Sequence, residues 1–418
     1  MIQFNNVKIF TDTADKETLE QVHVLDDSGI FGDAPIRIMP DCHKGAGCTI
    51  GFTAPILDKI TPNLVGVDIG CGMLCIEFGK IDIDLAEFDK LVHKYVPAGK
   101  NISRFSPNAE KIVKRFRCID ELKEISYLCA SAGSLGGGNH FIELDVDEDD
   151  NKYLIIHTGS RNLGKQVAEI YQRKAIRACK STTAPELIEK LKSEGRDQEI
   201  EAALQELKKE EPKLPRELCY VQGEDFENYM LDMKLCIDFA NFNRQCIAEN
   251  ILQAFYGKKI PLDNLTHFTT LHNYIGGGYI RKGAISAKEG ERVLIPLNMR
   301  DGCIIGIGKG NPDWNYSAPH GAGRVLSRSK AKQSVKLEDY QNSMQGIYTT
   351  TVNMETIDES PFAYKPSDEI IELVKDTITI EKIIKPIYNF KAGEEDDWRT
   401  INFRKKAAKR KGKGLREF

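Results

Sequence analysis

The sequence predicts an α+β fold with mixed or antiparallel sheets and flanking helices. Short apolar runs separated by Gly, Pro and Asp turns fill the chain to about residue 160 and return from about residue 264. That pattern is one of strands ending in loops. Between them, residues 183–251 read as mainly helical. The chemically distinctive residues lie on both sides of this stretch. The chain therefore reads as one core, residues 1–398, with a helical insert at about 183–251 and a basic tail at 399–418.

Taken in order, PIRIMPDCHKG, GCTIGFTAPI and LVGVDIGCGMLCIEF are the first strands, and residues 106–129 look helical. A glycine-rich segment, SAGSLGGGNHFIEL, precedes the strand YLIIHTGSR. From Thr183 to Leu214 the chain is rich in Glu and Lys, with spaced leucines at Leu187, Leu191, Leu204 and Leu207. This predicts a projecting helical hairpin, closed by Pro212 and Pro215. A longer helix follows over FENYMLDMKLCIDFANFNRQCIAENILQAF. The strands HFTTLHNYIGGG, GYIRKGAISA and RVLIPLNMRDGCIIGIGKG complete the pattern.

No apolar run in the 418 residues approaches the roughly 18 needed to cross a membrane. The start, MIQFNNVKIF, lacks the pattern of a signal peptide. A cytoplasmic protein with no membrane partner is expected. The 11 cysteines form no CxxC pair, which argues against a disulfide framework or a zinc ribbon and predicts mostly buried thiols. The net charge of −4 hides an asymmetry. Residues 399–418 carry nine Lys+Arg and one Glu, leaving 49 basic against 61 acidic residues elsewhere. A cationic tail on an acidic body suits either solvent or a phosphate backbone.

Five of the eight histidines stand beside turn glycines or strand ends: His43, His140, His157, His272 and His320. In 66-GVDIGCGM-73, Asp68 and Cys71 flank a tight turn and could share a divalent ion. In 133-GSLGGGNHFIEL-144, His140 is a candidate ligand and Glu143 a candidate acceptor from a base or ribose. His157 closes an apolar strand before Gly159-Ser160-Arg161, where Arg161 could hold a phosphate. Mixed His, Cys and Asp ligation suits zinc, iron or manganese alike. The segment 315-NYSAPHGAGRVLSRSKAK-332 sets His320 among small residues with Arg324, Arg328, Lys330 and Lys332 following. Small residues and cations suggest an anionic ligand, but no G-x-x-x-x-G-K-[ST] loop is present.

Together MPDCHKGAGCTIG, NLVGVDIGCGM, GSLGGGNHFIEL, IIHTGSR, LHNY, RKGAISA and SAPHGAGRVLSR closely resemble the RtcB family of RNA ligases, and NFKA near residue 389 extends the match. The resemblance implies a single catalytic core. It also implies a GTP- and Mn²⁺-dependent enzyme that joins RNA ending in a 2′,3′-cyclic phosphate or 3′-phosphate to RNA with a 5′-hydroxyl. One manganese would be held by Cys71, His157 and His272, and a second by Asp68, Cys71 and His140. Asn139, Phe141, Glu143 and Lys391 match guanylate-pocket positions, to which Asn273, Gly321 and Gly323 are added from the matching motifs and Asn298 from the segment that stands where the family lines the pocket. His320 matches the histidine that becomes guanylylated. An imidazole suits this role near neutral pH, because its ordinary pKa of about 6.5 leaves it largely unprotonated. Lys282, Arg324, Arg161 and Arg328 are expected to clamp phosphates, and Asp41 to assist deprotonation of the 5′-hydroxyl.

The segment 296-PLNMRDG-302 departs from the PGSMG-type pattern of many family members, with Asn298 where serine is usual. Cys42 and Lys44 are also uncommon in their motif. These departures suggest a divergent paralogue rather than the general tRNA-splicing ligase; the role expected is RNA repair or tRNA splicing, with an archease-type activator or a release-factor-like partner as candidates. Two other readings remain at this level: a metal-dependent phosphoesterase that opens cyclic phosphates, and a non-catalytic RNA-binding factor.

Overall fold

The computed structural model describes residues 1–180, 184–209 and 212–393. The basic tail at 399–418 lies outside them. The fold is α+β. A six-stranded mixed sheet runs Ile2–Phe4, Val7–Ile9, Ile36–His43, Ile50–Pro55, Tyr279–Lys282 and Asn273–Gly276, its only parallel pair being Val7–Ile9 with Ile36–His43. A seven-stranded antiparallel sheet runs His267–Leu271, Gly72–Gly79, Lys152–Thr158, Phe141–Val146, Ile378–Lys391, Gly302–Gly308 and Arg292–Asn298.

The second sheet curls until its edges meet. Thr270 on the first strand donates to the Leu294 carbonyl on the last at 3.5 Å, and Arg292 pairs with Glu77 at 2.6 Å. Met73, Cys75, Phe141, Tyr153, Ile155, Leu294, Cys303, Ile305 and Ile384 pack inside the curl. His272 alone separates the edge strand His267–Leu271 of this sheet from the edge strand Asn273–Gly276 of the other.

The hairpin expected in the Glu/Lys-rich region is the helix pair Ala184–Ser193 and Ile200–Lys209. The helix after it, Gly223–Tyr256, behaves differently from an insert. Tyr229, Met233, Phe239, Ile247 and Ile251 are buried in the main core clusters. The stretch 106–129 is also less helical than its sequence suggests, being split into Pro107–Val113, a 3₁₀ turn Ile119–Glu121 and Ile125–Ala130. The buried Asp232 carboxylate accepts from the Arg117 and Cys118 backbone amides at 2.7 and 3.1 Å, which provides those groups with partners outside a helix. All 11 cysteines are free thiols, nine of them buried. Among the described residues, no helix is long and apolar enough to cross a membrane.

Candidate active site

Antiparallel register brings four segments to one place. Met73 and Phe141 both pair with His157, and Gly72 pairs with Thr158 on one side and Leu271 on the other. The turn carrying Asp68 and Cys71, the loop ending at His140, the strand end at His157 and the crossover at His272 therefore converge. Ligand atoms of Cys71, His157 and His272 lie within 4.8 Å of one another, as do those of Asp68, Cys71 and His140. Cys71 belongs to both groups.

Each imidazole has a reason to point as it does. His140 donates through Nδ1 to the Leu135 carbonyl at 3.0 Å, and His157 through Nδ1 to the Asn139 carbonyl at 3.1 Å. Both Nε2 atoms then face the Cys71 sulfur, at 3.6 and 3.4 Å. Anchoring the far nitrogen to a carbonyl is the usual way a protein orients a metal-binding histidine. His272 leaves a buried Nδ1 without a hydrogen-bond partner, and burial holds the pKa of His157 and His272 well below the ordinary value, so both stay neutral. Burial and the neighbouring Asp68 push the Cys71 thiol up, a balance that a cation would reverse. A thiol, three imidazoles and a carboxylate with one orphaned donor fit two shared divalent ions.

The helix Gly223–Tyr256 supports this cluster from below. Asn243 accepts from the Gly133 and Ser134 amides at 2.8 and 3.1 Å and donates to the Gly159 carbonyl at 3.1 Å. Its neighbour Arg244, fully buried, donates to the Gly70 carbonyl at 3.0 Å and to the Thr158 carbonyl at 2.5 Å. Two consecutive residues thus tie together the Asp68–Cys71 turn, the glycine loop and the His157 strand end. Burial lowers the Arg244 pKa to about 10, which leaves it charged at neutral pH close to Cys71 and Asp68. Gly159 is required by the same packing, since a Cβ there would lie 2.2 Å from an Asp68 carboxylate oxygen.

His320 follows the short strand Ser317–Pro319. Its Nδ1 lies 2.7 Å from the Asp41 carboxylate, which also accepts from the His320 backbone amide at 3.1 Å. Nε2 is thereby left for the cleft. The His320 ring centroid is 4.9 Å from that of His272, next to the metal-ligand cluster. The loop beyond it passes so near the Ile36–His43 strand that a Cβ on Gly323 would fall 2.3 Å from the Asp41 carbonyl oxygen, and Gly323 has φ 74°. Only glycine fits there without displacement.

The cleft above His320 is lined by Asn139, Phe141, Glu143, Asn298, Gly321, Gly323, Arg324, Arg328 and Lys391, together with His43, His157 and His272. Burial brings the His43 pKa down to about 4. Five residues expected in the site are held by partners the sequence does not show. Asp41 is fully buried, its Oδ2 accepts from both the ring and the backbone amide of His320, and its Oδ1 has no hydrogen-bond partner, so it is placed to orient that imidazole. Lys282 does not line the cleft, because its ammonium donates to the Ala46 and Asn63 carbonyls at 2.7 and 2.9 Å. Asn273 is likewise structural, donating to the Asp68 carbonyl and accepting from the Gly283 amide. Arg161 lies outside the cleft lining, where its Nε donates to the Ser134 hydroxyl at 3.4 Å and its charge favours ionised Asp68. Asn298 lines the cleft, but its amide is engaged by Asp301 at 2.8 Å and by the turn that follows.

Sequence reading missed Glu359. This buried carboxylate takes Arg324 at 3.1 Å, Arg328 at 3.0 Å, Lys391 at 2.8 Å and the Tyr364 hydroxyl at 2.5 Å. Burial alone would raise its pKa, but Lys391, Arg328 and Arg324 hold it near 2. Arg328 also pairs with Asp358 at 2.9 Å. One acid thus gathers three cations along one wall of the cleft. Its segment, IDESPFAY, has no periodicity that would single it out.

A family model described as tRNA-splicing ligase RtcB matches residues 28–125 and 121–392. An RNA-splicing ligase RtcB from Escherichia coli K12 is 29% identical over 389 residues, covering 82% of this chain and 87% of the relative. RNA-splicing ligase RtcB1 from E. coli strain ATCC 25922 is 29% identical over 387 residues with the same coverage. A tRNA-splicing ligase RtcB from Thermococcus kodakarensis is 27% identical over 424 residues, covering 81% of this chain and 83% of the relative.

Proposed function

The chain belongs to the RtcB family, and from that premise we propose that it is an RNA ligase using GTP and two Mn²⁺ ions. It joins a 3′-phosphate, or a 2′,3′-cyclic phosphate once opened, to a 5′-hydroxyl, in RNA repair or tRNA splicing. The observation that carries this reading is His320, locked through Nδ1 by Asp41 and 4.9 Å from His272 at the ligand cluster.

With Nδ1 donating to Asp41, the Nε2 lone pair is the nucleophile. It attacks the α-phosphorus of GTP, a P–N bond forms, and pyrophosphate leaves. The positive charge that develops on the imidazole is stabilised by the Asp41 carboxylate, the role a buried acid plays beside a catalytic histidine. An RNA 3′-phosphate oxygen then attacks the guanylate phosphorus and the P–N bond breaks, returning neutral His320. Finally the 5′-hydroxyl oxygen attacks the 3′-phosphorus, the bond to the guanylate oxygen breaks, and GMP leaves, its freed phosphate oxygen taking up the hydroxyl proton. When bound, Mn²⁺ held by Asp68, Cys71, His140, His157 and His272 neutralises and orients the phosphate oxygens. Arg324, Arg328 and Lys391, pre-aligned by Glu359, supply fixed positive charge along the phosphate path.

The test uses GTP labelled at the α-phosphate with Mn²⁺ and two RNA halves bearing cyclic-phosphate and 5′-hydroxyl ends. Label on the protein that is acid-labile and base-stable, joined RNA, and loss of both in His320→Ala are expected. Label that persists in His320→Ala removes His320 as nucleophile. Cyclic-phosphate opening without GTP dependence or joined product would favour the phosphoesterase reading.

A further inference from the structure

Inside the curled sheet lies a second cluster that the ligation scheme leaves unexplained. Glu143 and Asp145 stand two residues apart on the strand Phe141–Val146, and so project from the same face. Cys303 reaches them from the strand Gly302–Gly308, with the strand Ile378–Lys391 between. That middle strand has a register shift between Pro386 and Tyr388, opposite Asp145 and Leu144, and Pro386 offers no amide proton. All three side chains are almost wholly buried, and ligand atoms of the three lie within 4.8 Å of one another.

Asp145 is the telling member. It is fully buried beside the apolar residues of the curl; no N–H or O–H group donates to either carboxylate oxygen, and the Cys303 thiol is turned towards it. An ionised carboxylate left so is strongly unfavourable unless a cation faces it. Lys385, whose charge favours ionised Asp145, gives its ammonium to the Asp301 carbonyl at 3.0 Å. Glu143 is half-committed: Oε1 accepts from Asn389, while Oε2 faces the Cys303 sulfur at 4.0 Å.

We propose that Glu143, Asp145 and Cys303 form a third metal site, distinct from the Cys71-centred pair, for a divalent ion of the Zn²⁺ class. Two carboxylates and a thiolate are ligands that Zn²⁺ takes, with a fourth position left for water. Tetrahedral ligation needs donor atoms roughly 3.5 Å apart, somewhat closer than the 4.0 Å between the Cys303 sulfur and Glu143 Oε2. Access is through the cleft, which Glu143 lines. Binding releases the protons held by the thiol and the carboxyls. The ion then fixes Glu143 as an ionised acceptor at the floor of the proposed nucleotide pocket.

Stripped protein is reloaded with Zn²⁺ and counted by elemental analysis, and with Co²⁺ to read the thiolate-to-metal charge-transfer band. The Cys71→Ala variant removes the shared ligand of the other two sites. It is expected to keep one tight Zn²⁺ and the charge-transfer band, and Cys71→Ala/Cys303→Ser is expected to lose both. In wild type, Asp145→Asn lowers the Zn²⁺ count by one per chain. If Cys71→Ala does not fold, Cys303→Ser alone decides: its count must fall by one from wild type and its band must weaken. No band in folded Cys71→Ala, or an unchanged count in Cys303→Ser, overturns the site and leaves Asp145 as a protonated buried acid. Neither readout depends on ligation, so failure here and failure of the ligase reading are separable.

Discussion

Replacing Glu359 with Gln keeps the shape of the side chain and removes its charge. Three cations then face a neutral amide in a place that is 2% exposed. The size of the loss follows from protonation. Glu359 is held near 2 from an ordinary 4.5 because Lys391, Arg328 and Arg324 outweigh its burial. A folded-state pKa below the unfolded value means stability that is present above pH 4.5 and lost as pH falls through 2. The gap corresponds to about 3 kcal/mol at neutral pH. Urea unfolding should therefore show Glu359→Gln less stable than wild type by about 3 kcal/mol at pH 7, with the difference narrowing to about half at pH 3. A deficit under about 1 kcal/mol at pH 7, or one of equal size at both pH values, would refute the view of Glu359 as the charged hub of the cleft wall.

Asp41→Asn should leave the protein folded but slow transfer of labelled GMP to His320 by on the order of 10²–10⁴-fold, measured in single turnover. Lys282→Met should lower stability by about 1–3 kcal/mol, since it strands the Ala46 and Asn63 carbonyls. Its apparent KM for GTP should stay near wild type, and a large rise would restore Lys282 as a phosphate clamp. Arg244→Met should weaken metal binding at the Cys71 cluster by about 10–100-fold in a competition titration with a chelator, although no ligand atom is altered.

The five residues named as metal ligands share a signal that survives in one dimension: a His, Cys or Asp in a turn or at a strand end, four of them within two residues of a glycine. The fold then had only to bring strand ends together, which antiparallel pairing does. The residues that behaved otherwise share a different property. Lys282 and Asn273 sit in the right motif, but what their polar tips touch depends on where remote carbonyls and amides fall. The helix Gly223–Tyr256 looked like part of an insert because it follows a charged hairpin. Its mixture of polar and apolar residues did not reveal that Asn243 and Arg244 hold the glycine loop, the Asp68–Cys71 turn and the His157 strand end. Glu359 and Asp145 were invisible for a third reason. An acid in an irregular segment and an acid in a strand look like surface residues until burial is known.

The crossover at His272 has a mechanical side. A single residue joins the two sheets edge to edge, and that residue is one of the proposed ligands. An ion bound there is a rivet through the seam: it fastens Cys71 and His157 of one sheet to the first residue before the other. Sliding of one sheet against its neighbour then strains the coordination directly. Removing the ion should loosen the seam before either sheet frays, with amide exchange rising first at residues 271–273.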